Sequence, residues 1–354
     1  MKHFSHNLPV HLNLASCTKL TEQTEHYFLS NGEQLSKFSN LCWACNDIMG
    51  CIPHTTENYW SGHYFPIVES WDELQISFNL MNYGFYKQAF TSLRSGLELG
   101  MLSVYYNIND EGHRTVRNWL NSKRDRSADT PRANQVWKIL LANRNIKQFD
   151  FVFELQNSYR KLDFLHNYVH TKGAKYSNCY KPIRRGHQEY DENQIIRWMN
   201  AFEAIVILVI TLHILKYPIA IVKYDWDRKV GIDNPFPVLQ EFQVDRLSEV
   251  LPKYYWPILE KISENDSDTQ EMLEHIYSLP DITEEEVDEQ IIEMDKFLID
   301  GMGFVKWEIQ ERETITEVEA IGIKQNTDRI VKRISRLREW AEEEGKMQGA
   351  LERE

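Results

Sequence analysis

The sequence predicts an all-α protein, built as a helical bundle with an additional, mostly helical C-terminal region. Its 354 residues include only 15 glycines and 11 prolines, so long segments contain no residue that breaks a helix. In several of these segments, apolar residues recur at the spacing of an amphipathic helix. Hydrophobic residues make up 42% of the chain and aromatic residues 12%, which is enough to fill a core.

The N-terminal part, residues 1–65, predicts an irregular arm up to residue 20 and then one helix over 22–49, which Gly50 interrupts. Histidines and asparagines precede Cys17 where a signal peptide would have an apolar core, so we expect no secretion signal. The five cysteines are an odd number, which favours a reducing compartment over a disulfide framework. We therefore expect a cytoplasmic protein.

Residues 66–222 predict the helical core. It begins with a helical hairpin over 68–82 and 85–108, with Gly84 at its joint. Further helices are predicted over 133–142, 147–170 and 192–217. The last of these contains roughly 12 nearly continuous apolar residues, whereas a membrane span needs about 20. We therefore expect a buried core helix and no membrane partner.

Residues 223–354 predict an acidic, mostly helical region. Between residues 281 and 320 the chain carries 14 Asp and Glu against 3 Lys and Arg. Thr283 and Glu286 form a capping box, which predicts that a helix begins there. Five apolar residues then recur at the spacing of a helix-pairing face: Ile323, Ile330, Ile334, Leu337 and Ala341. This face predicts either contact with a partner protein or a helix docked on its own domain.

Charge is unevenly distributed along the chain. The net charge is −13, yet residues 110–190 hold 16 Lys and Arg against 8 Asp and Glu. A basic surface of this kind is expected of a protein that binds a polyanion such as RNA. The alternative is an ordinary solvated surface.

The helix predicted over 147–170 carries a stripe of polar side chains. They recur at intervals that place them on one helical face: Asp163, His166, Asn167 and His170. Arg160 extends this stripe by one turn. Two histidines beside a carboxylate and an arginine can carry out acid–base chemistry near neutral pH. The alternative is a hydrogen-bonded polar seam that only sets the register of the helices.

A second polar stripe is predicted on the helix over 85–108. Lys87, Arg94 and Glu98 share one face of it, and the last two form an i,i+4 pair. The flanking residues are strongly apolar, so we expect this pair to be partly buried, where a charge normally has a partner or a function.

Two patterns in residues 66–222 resemble the HEPN group of helical nuclease and nucleotide-binding domains. They are Tyr86-x2-Ala89-x3-Leu93-Arg94-Ser95-x-Leu97-Glu98 and Tyr168-Val169-His170. The resemblance implies an all-helical, commonly dimeric bundle in which an Arg-x(4–6)-His motif cuts RNA without a metal ion or cofactor. It also implies a place in a bacterial toxin–antitoxin or phage-defence (antiviral) system.

Arg160-x5-His166 fits the spacing of that motif, which implies that His166 is the acid or base and that Arg160 binds the scissile phosphate. If His170 is instead the family histidine, residues 163–165 supply no arginine, and Arg94 would take that role. The candidate catalytic residues are Arg94, Glu98, Arg160, Asp163, His166, Asn167 and His170. The candidate RNA-binding residues are Lys87, Lys172, Arg184 and Arg185.

We therefore expect an RNA-binding protein that acts as a metal-independent endoribonuclease and assembles as a homodimer, or with another protein, through its helices. The alternative is a non-catalytic helical partner or scaffold subunit in which the polar stripe is structural. One donor set could hold zinc, although free buried cysteines are the alternative: Cys42, Cys45, Cys51 and His54. We expect no bound cofactor.

Overall fold

The computed structural model describes residues 14–53, 58, 63–109, 113–121, 129–177, 188–232, 234–320 and 327–349. Within these ranges the chain forms α-helices and short 3-10 helices and contains no β-strand, which confirms the predicted all-α class. The chain divides into two compact units. Unit 1 comprises Met1–Asp225 with Pro235–His275, and unit 2 comprises Trp226–Asn234 with Ile276–Glu354.

Unit 1 begins with α1 (Leu14–Ser30) and α2 (Gly32–Asp47), followed by a 3-10 helix over Ile48–Cys51. The irregular arm predicted up to residue 20 was wrong over residues 14–20, while residues 1–13 lie outside the described part of the chain, and the one helix predicted over 22–49 is two helices. Asn31 separates α1 from α2, because its side-chain amide donates to the Tyr27 carbonyl (2.7 Å) and so competes with the helical hydrogen bonds.

The predicted helical hairpin is confirmed as α3 (Phe65–Asn82) and α4 (Tyr86–Asn109). Gly84 at its joint has a φ of 75°, a conformation that favours glycine. The two helices pack closely, and the Ser70 hydroxyl donates to the Gly96 carbonyl across them (2.7 Å). This close packing presents one face of α4 to the helices that follow.

The segment after the hairpin consists of short helices: α5 (Arg114–Leu120), α6 (Ala133–Leu140), α7 (Arg144–Phe153), α8 (Leu155–Lys161) and α9 (Phe164–Val169). The single helix predicted over 147–170 was therefore wrong. Glu154 takes a left-handed φ of 51° between α7 and α8. The Asp150 carboxylate accepts a hydrogen bond from the backbone N–H of Gln156 (2.8 Å), so a side chain starts the new helix.

The predicted core helix is confirmed as α10 (Glu192–Lys216), most of whose side chains are buried. Among the described helices, α10 alone is long and apolar enough to cross a membrane, and 78% of its most apolar stretch is buried inside the protein. Its His213 is fully enclosed, with ring nitrogens 2.8 Å from the Val209 carbonyl and 3.1 Å from the Ser103 hydroxyl.

After α10 and a 3-10 helix over Pro218–Ile221, the chain forms α11 (Asp227–Val230), which belongs to unit 2. It then forms α12 (Glu241–Val250), a 3-10 helix (Lys253–Tyr255), α13 (Trp256–Asn265) and α14 (Ser267–Ser278). Residues from α12 and α13, including Leu247 and Leu259, are buried in the core of unit 1. That core therefore extends beyond residue 222.

Unit 2 is built mainly from α15 (Glu284–Met302), α16 (Phe304–Ala320) and α17 (Thr327–Glu343). The capping box predicted at Thr283 and Glu286 is present at the start of α15. The apolar face predicted on the last helix is buried in the core of this unit at three positions, as in the docked alternative: Ile334, Leu337 and Ala341. Ile323 lies outside the described residues.

The acidic residues of α15 and α16 form ion pairs with arginines of α17 inside unit 2. Arg329 pairs with Asp288 at 2.7 Å, and Arg338 pairs with Glu308 at 2.6 Å. One pair is buried: Arg333 lies 3.2 Å from Asp295, whose side chain is 6% exposed. The charge concentrated in this stretch is thus partly neutralised within its own unit.

Candidate functional site

The two predicted polar stripes meet where α9 packs on α4. Aromatic rings form this contact: Phe90 of α4 stacks on Tyr168 of α9 with centroids 4.4 Å apart, and Phe164 approaches edge-on at 6.2 Å. Because apolar side chains occupy the contact itself, the polar residues of both helices are left along its margin. The histidines of α9 consequently lie beside the charged pair of α4.

Arg94 is the buried member of this group, with 11% of its side chain exposed. Its guanidinium donates to the Glu98 carboxylate from Nε (2.7 Å) and Nη2 (2.5 Å), and Nη2 also donates to the Tyr159 hydroxyl (3.3 Å). Burial disfavours the charge, but Glu98 and then Tyr159 outweigh it, so the pKa of Arg94 is raised. Arg94 is therefore held as a fixed positive charge.

His166 and His170 form an exposed pair at the end of α9, with ring centroids 4.2 Å apart. Partial burial lowers the pKa of His166, and the charges of His170, Lys172 and Arg94 lower it further, while Glu98 acts in the opposite direction. Neutral His166 is therefore favoured near neutral pH, where it can accept a proton. These interactions also show that His166 lies close to the Arg94–Glu98 pair.

Basic groups lie around the histidine pair. Lys87 donates to the Thr171 hydroxyl (2.8 Å), which ties the start of α4 to the end of α9. Thr171 has a left-handed φ of 49°, so the chain turns sharply after His170 and leaves Lys172 exposed beside it. Arg184 and Arg185, the other predicted RNA-binding residues, lie outside the described part of the chain.

The stripe predicted from Arg160 to His170 does not lie on one continuous helix, because α8 ends at Lys161 and α9 begins at Phe164. Arg160 is exposed on α8 and donates to the Gln156 side chain (3.3 Å). Asp163 is the exposed residue that precedes α9, and its charge acts weakly on Tyr159. Asn167 is half-buried, and a side-chain hydrogen bond between it and Tyr176 helps to lower the pKa of Tyr176.

Sequence reasoning missed two residues near this site. Tyr159 hydrogen-bonds to Arg94, and nothing in its spacing from the other candidates indicates this. Arg197 of α10 lies against three aromatic rings, with its guanidinium carbon 4.9 Å from the ring centre of Phe164, 5.6 Å from Tyr168 and 5.7 Å from Phe90. The sequence did indicate Arg197, because a charged residue beside the most apolar stretch of a core helix is rarely buried without a stabilising partner.

The cysteines of the possible zinc set do not form a metal site with other described residues. Within the described ranges, no three His, Cys, Asp or Glu side chains converge as metal ligands. Burial raises the pKa of Cys42 to about 12 and raises those of Cys45 and Cys51 further, so in the absence of a metal ion these thiols are protonated. His54, the fourth member, lies outside the described residues.

Comparison of this chain with known protein families, with curated proteins and with solved structures finds no match. The function must therefore be argued from the residues of the site itself.

Proposed function

We propose that this protein binds RNA and cleaves it, without a metal ion, at the His166–His170 pair. The observation that carries the proposal is the position of this exposed pair beside the Arg94–Glu98 pair, two groups that are 68 residues or more apart in the sequence. Two adjacent imidazoles next to fixed positive charge suit phosphodiester cleavage, because that reaction needs both a base and an acid near neutral pH.

In the proposed reaction, neutral His166 accepts the proton of the ribose 2′-hydroxyl as its oxygen attacks the neighbouring phosphorus. The bond to the 5′-oxygen breaks, and that oxygen takes a proton from His170, leaving a 2′,3′-cyclic phosphate and a 5′-hydroxyl. Lys172 and Arg94 provide positive charge close to the additional negative charge of the transition state. The low pKa of His166 supports its role as the base.

The HEPN-like patterns support a further part of this proposal, namely that the protein acts in a bacterial toxin–antitoxin or phage-defence system. In such a system a partner protein or a trigger restrains the nuclease, and the helical surfaces provide the contacts. Solution mass by light scattering tests the proposed homodimer directly. A monomeric mass throughout the micromolar range would remove the homodimer from the proposal.

The cleavage assay uses the full chain with mixed single-stranded RNA in EDTA. We expect wild-type protein to produce fragments ending in 2′,3′-cyclic phosphate, and His166→Ala and His170→Ala to lower the rate at least about 100-fold. His26→Ala, which replaces an exposed histidine on α1, is the matched control and should cleave like wild type. Undiminished cleavage by both site variants would place the activity elsewhere.

A non-catalytic partner or scaffold role is the second candidate, and one observation favours it. Arg94 donates to Glu98 and Tyr159 and its remaining nitrogen is buried, while Arg160 donates to Gln156, so both arginines that could hold the scissile phosphate already make contacts within the chain. The absence of cleavage by wild-type protein, both alone and with the proteins encoded beside it, would favour this role.

A further inference from the structure

Arg197 is a half-buried cation whose guanidinium has no hydrogen-bond partner among the described residues. Its guanidinium carbon lies 4.9–5.7 Å from the ring centres of Phe90, Phe164 and Tyr168, which stabilises the charge. A guanidinium also carries five N–H donors, and aromatic faces do not satisfy them in the way that oxygen acceptors do. No described side chain or carbonyl accepts a hydrogen bond from Arg197, and no described carboxylate forms an ion pair with it.

Arg246 of α12 is a second arginine that lies against aromatic rings, and it also has a carboxylate partner. Its guanidinium also lies against two rings, those of Trp43 (5.4 Å) and Phe242 (5.8 Å). Arg246 additionally pairs with the buried carboxylate of Asp47 at 2.5 Å, which supplies both an acceptor and a counter-charge. Arg197 has the aromatic rings but no carboxylate partner among the described residues.

A second, independent group also lacks a partner. Tyr168 is 3% exposed, and its hydroxyl is buried with no hydrogen-bond partner in the structure. Leaving a buried hydroxyl unpaired is costly, and most buried polar groups are paired. Burial raises the pKa of Tyr168 and the nearby Arg197 opposes this, so the hydroxyl remains a protonated donor close to the guanidinium.

We infer that Arg197 and Tyr168 form a binding site for a phosphate group, distinct from the histidine pair. Both groups only donate hydrogen bonds here, and a planar guanidinium with a neighbouring hydroxyl matches the acceptor oxygens of a phosphate. Tyr168 lies two residues from each histidine, so its side chain leaves α9 on the opposite side. Tyr176 lies edge-on to Tyr168 at 5.1 Å, and Lys175 lies beside it. If the phosphate belongs to a nucleotide, this ring and this positive charge provide further contacts for the rest of the nucleotide.

This inference does not depend on RNA cleavage, and binding measurements on the full chain test it. Inorganic phosphate, adenosine 5′-monophosphate and adenosine are titrated at constant ionic strength, by calorimetry and by thermal unfolding. We expect both phosphate-containing compounds to bind and raise the Tm, and adenosine not to do so. Tighter binding of adenosine 5′-monophosphate than of inorganic phosphate identifies the ligand as a nucleotide, whereas equal affinities for the two compounds identify it as free phosphate.

Two variants localise the binding. Arg197→Met keeps apolar contact with the three rings and removes the donors, and Tyr168→Phe removes only the hydroxyl. Each should weaken phosphate binding about tenfold or more, while Arg144→Met, which replaces an exposed arginine at the start of α7, should not change it. Without ligand, Tyr168→Phe should be as stable as wild type or more stable, because it removes an unpaired buried group.

Three outcomes overturn the inference. They are no binding of either phosphate compound to wild-type protein, unchanged binding in both site variants, and a loss of ligand-free stability in Tyr168→Phe. The last outcome would mean that the hydroxyl has a partner within the folded protein. Cleavage of RNA by His166 and His170 could fail while this binding is observed, so the two proposals are separable.

Discussion

The guanidinium of Arg94 donates a hydrogen bond to the hydroxyl of Tyr159 at 3.3 Å, across 65 residues of sequence. The same guanidinium binds Glu98 one turn along its own helix, and its remaining nitrogen, Nη1, is buried with no hydrogen-bond partner in the structure. Arg94 thus connects the hairpin to α8 while its charge acts on His166 of α9. The effect of the Arg94 charge on the pKa of His166 can be measured without any catalytic activity.

We expect Arg94→Met to raise the pKa of His166, because it removes a positive charge that disfavours the imidazolium. Glu98→Gln should lower the pKa of His166, because it removes a negative charge that favours the imidazolium. The two opposite shifts are measured by NMR titration of the His166 ring protons. Lys172→Met is a further comparison and should raise the pKa as Arg94→Met does.

Arg144→Met, which replaces an exposed arginine at the start of α7, is the matched control and should leave the pKa of His166 unchanged. Shifts of the same sign in Arg94→Met and Glu98→Gln would contradict the proposed arrangement. If neither Arg94→Met nor Glu98→Gln changes the pKa of His166, α4 and α9 are not adjacent in solution.

Stability should depend on pH through the buried His213. Burial lowers the pKa of His213 from 6.5 to about 4 in the folded protein, so the unfolded chain binds the proton first as the pH falls. The contribution of neutral His213 is therefore present above pH 6.5 and is lost as the pH falls towards 4, by about 1.4 kcal/mol for each pH unit.

Replacing His213 by Gln isolates this contribution from other titrating groups. We expect the difference in unfolding free energy between wild type and His213→Gln to shrink steadily as the pH falls from 6.5 to 4.5, measured by urea denaturation. A difference that stays constant over this interval would mean that His213 takes up its proton without unfolding.

Gly100 lies where α4 packs against Val209 of α10. A Cβ at this position would lie 2.6 Å from one methyl carbon of Val209 and 3.0 Å from the other. We expect Gly100→Ala to lower the unfolding free energy by about 1–3 kcal/mol, because a packed interior does not absorb an added methyl group. Urea denaturation at neutral pH measures this loss.

Gly32→Ala is the matched control for this substitution. It adds the same methyl group at the start of α2, where no atom lies within 4 Å of the new Cβ. Stability should stay the same or rise by up to about 1 kcal/mol, since alanine is the better helix former. Equal effects of the two substitutions would mean that α4 and α10 are not in close contact at Gly100.

Unit 2 contains a buried ion pair in which Arg333 lies 3.2 Å from the Asp295 carboxylate, and Trp307 donates to the same carboxylate at 3.2 Å. Burial raises the pKa of Asp295, and Arg333 opposes that rise. We expect Arg333→Met to destabilise the protein by about 3–5 kcal/mol, because it leaves a buried carboxylate unpaired. Unfolding followed by tryptophan fluorescence reports this change.

The double variant Asp295→Asn with Arg333→Met should recover part of that stability, because the buried side chain at position 295 is no longer charged, while Glu311, the other partner of Arg333, is affected equally in both variants. Additive losses from the two single substitutions would indicate that the groups do not interact. Arg312→Met is the control, since Arg312 is 60% exposed in its pair with Glu308, and surface pairs contribute little.

Several elements could be predicted because short-range properties determine them. The hairpin around Gly84, the apolar helix of residues 192–216 and the capping box at Thr283 depend on spacing, on glycine and on a local hydrogen bond. The break at Glu154 could not be predicted from periodicity, because the side chain of Asp150 competes with the helix only in this particular geometry. Apolar residues keep their helical spacing on both sides of Glu154, so the sequence pattern gives no sign of the break.

The sequence by itself determined that this protein is helical and that one segment carries Asp163, His166, Asn167 and His170. Only the tertiary structure decided which of the candidates come together. It placed Tyr159 on Arg94, directed Arg160 towards Gln156, and surrounded Arg197 with aromatic rings. The physical reason is that helices form from contacts three and four residues apart, whereas a site is assembled by packing between distant segments, whose partners no local spacing specifies.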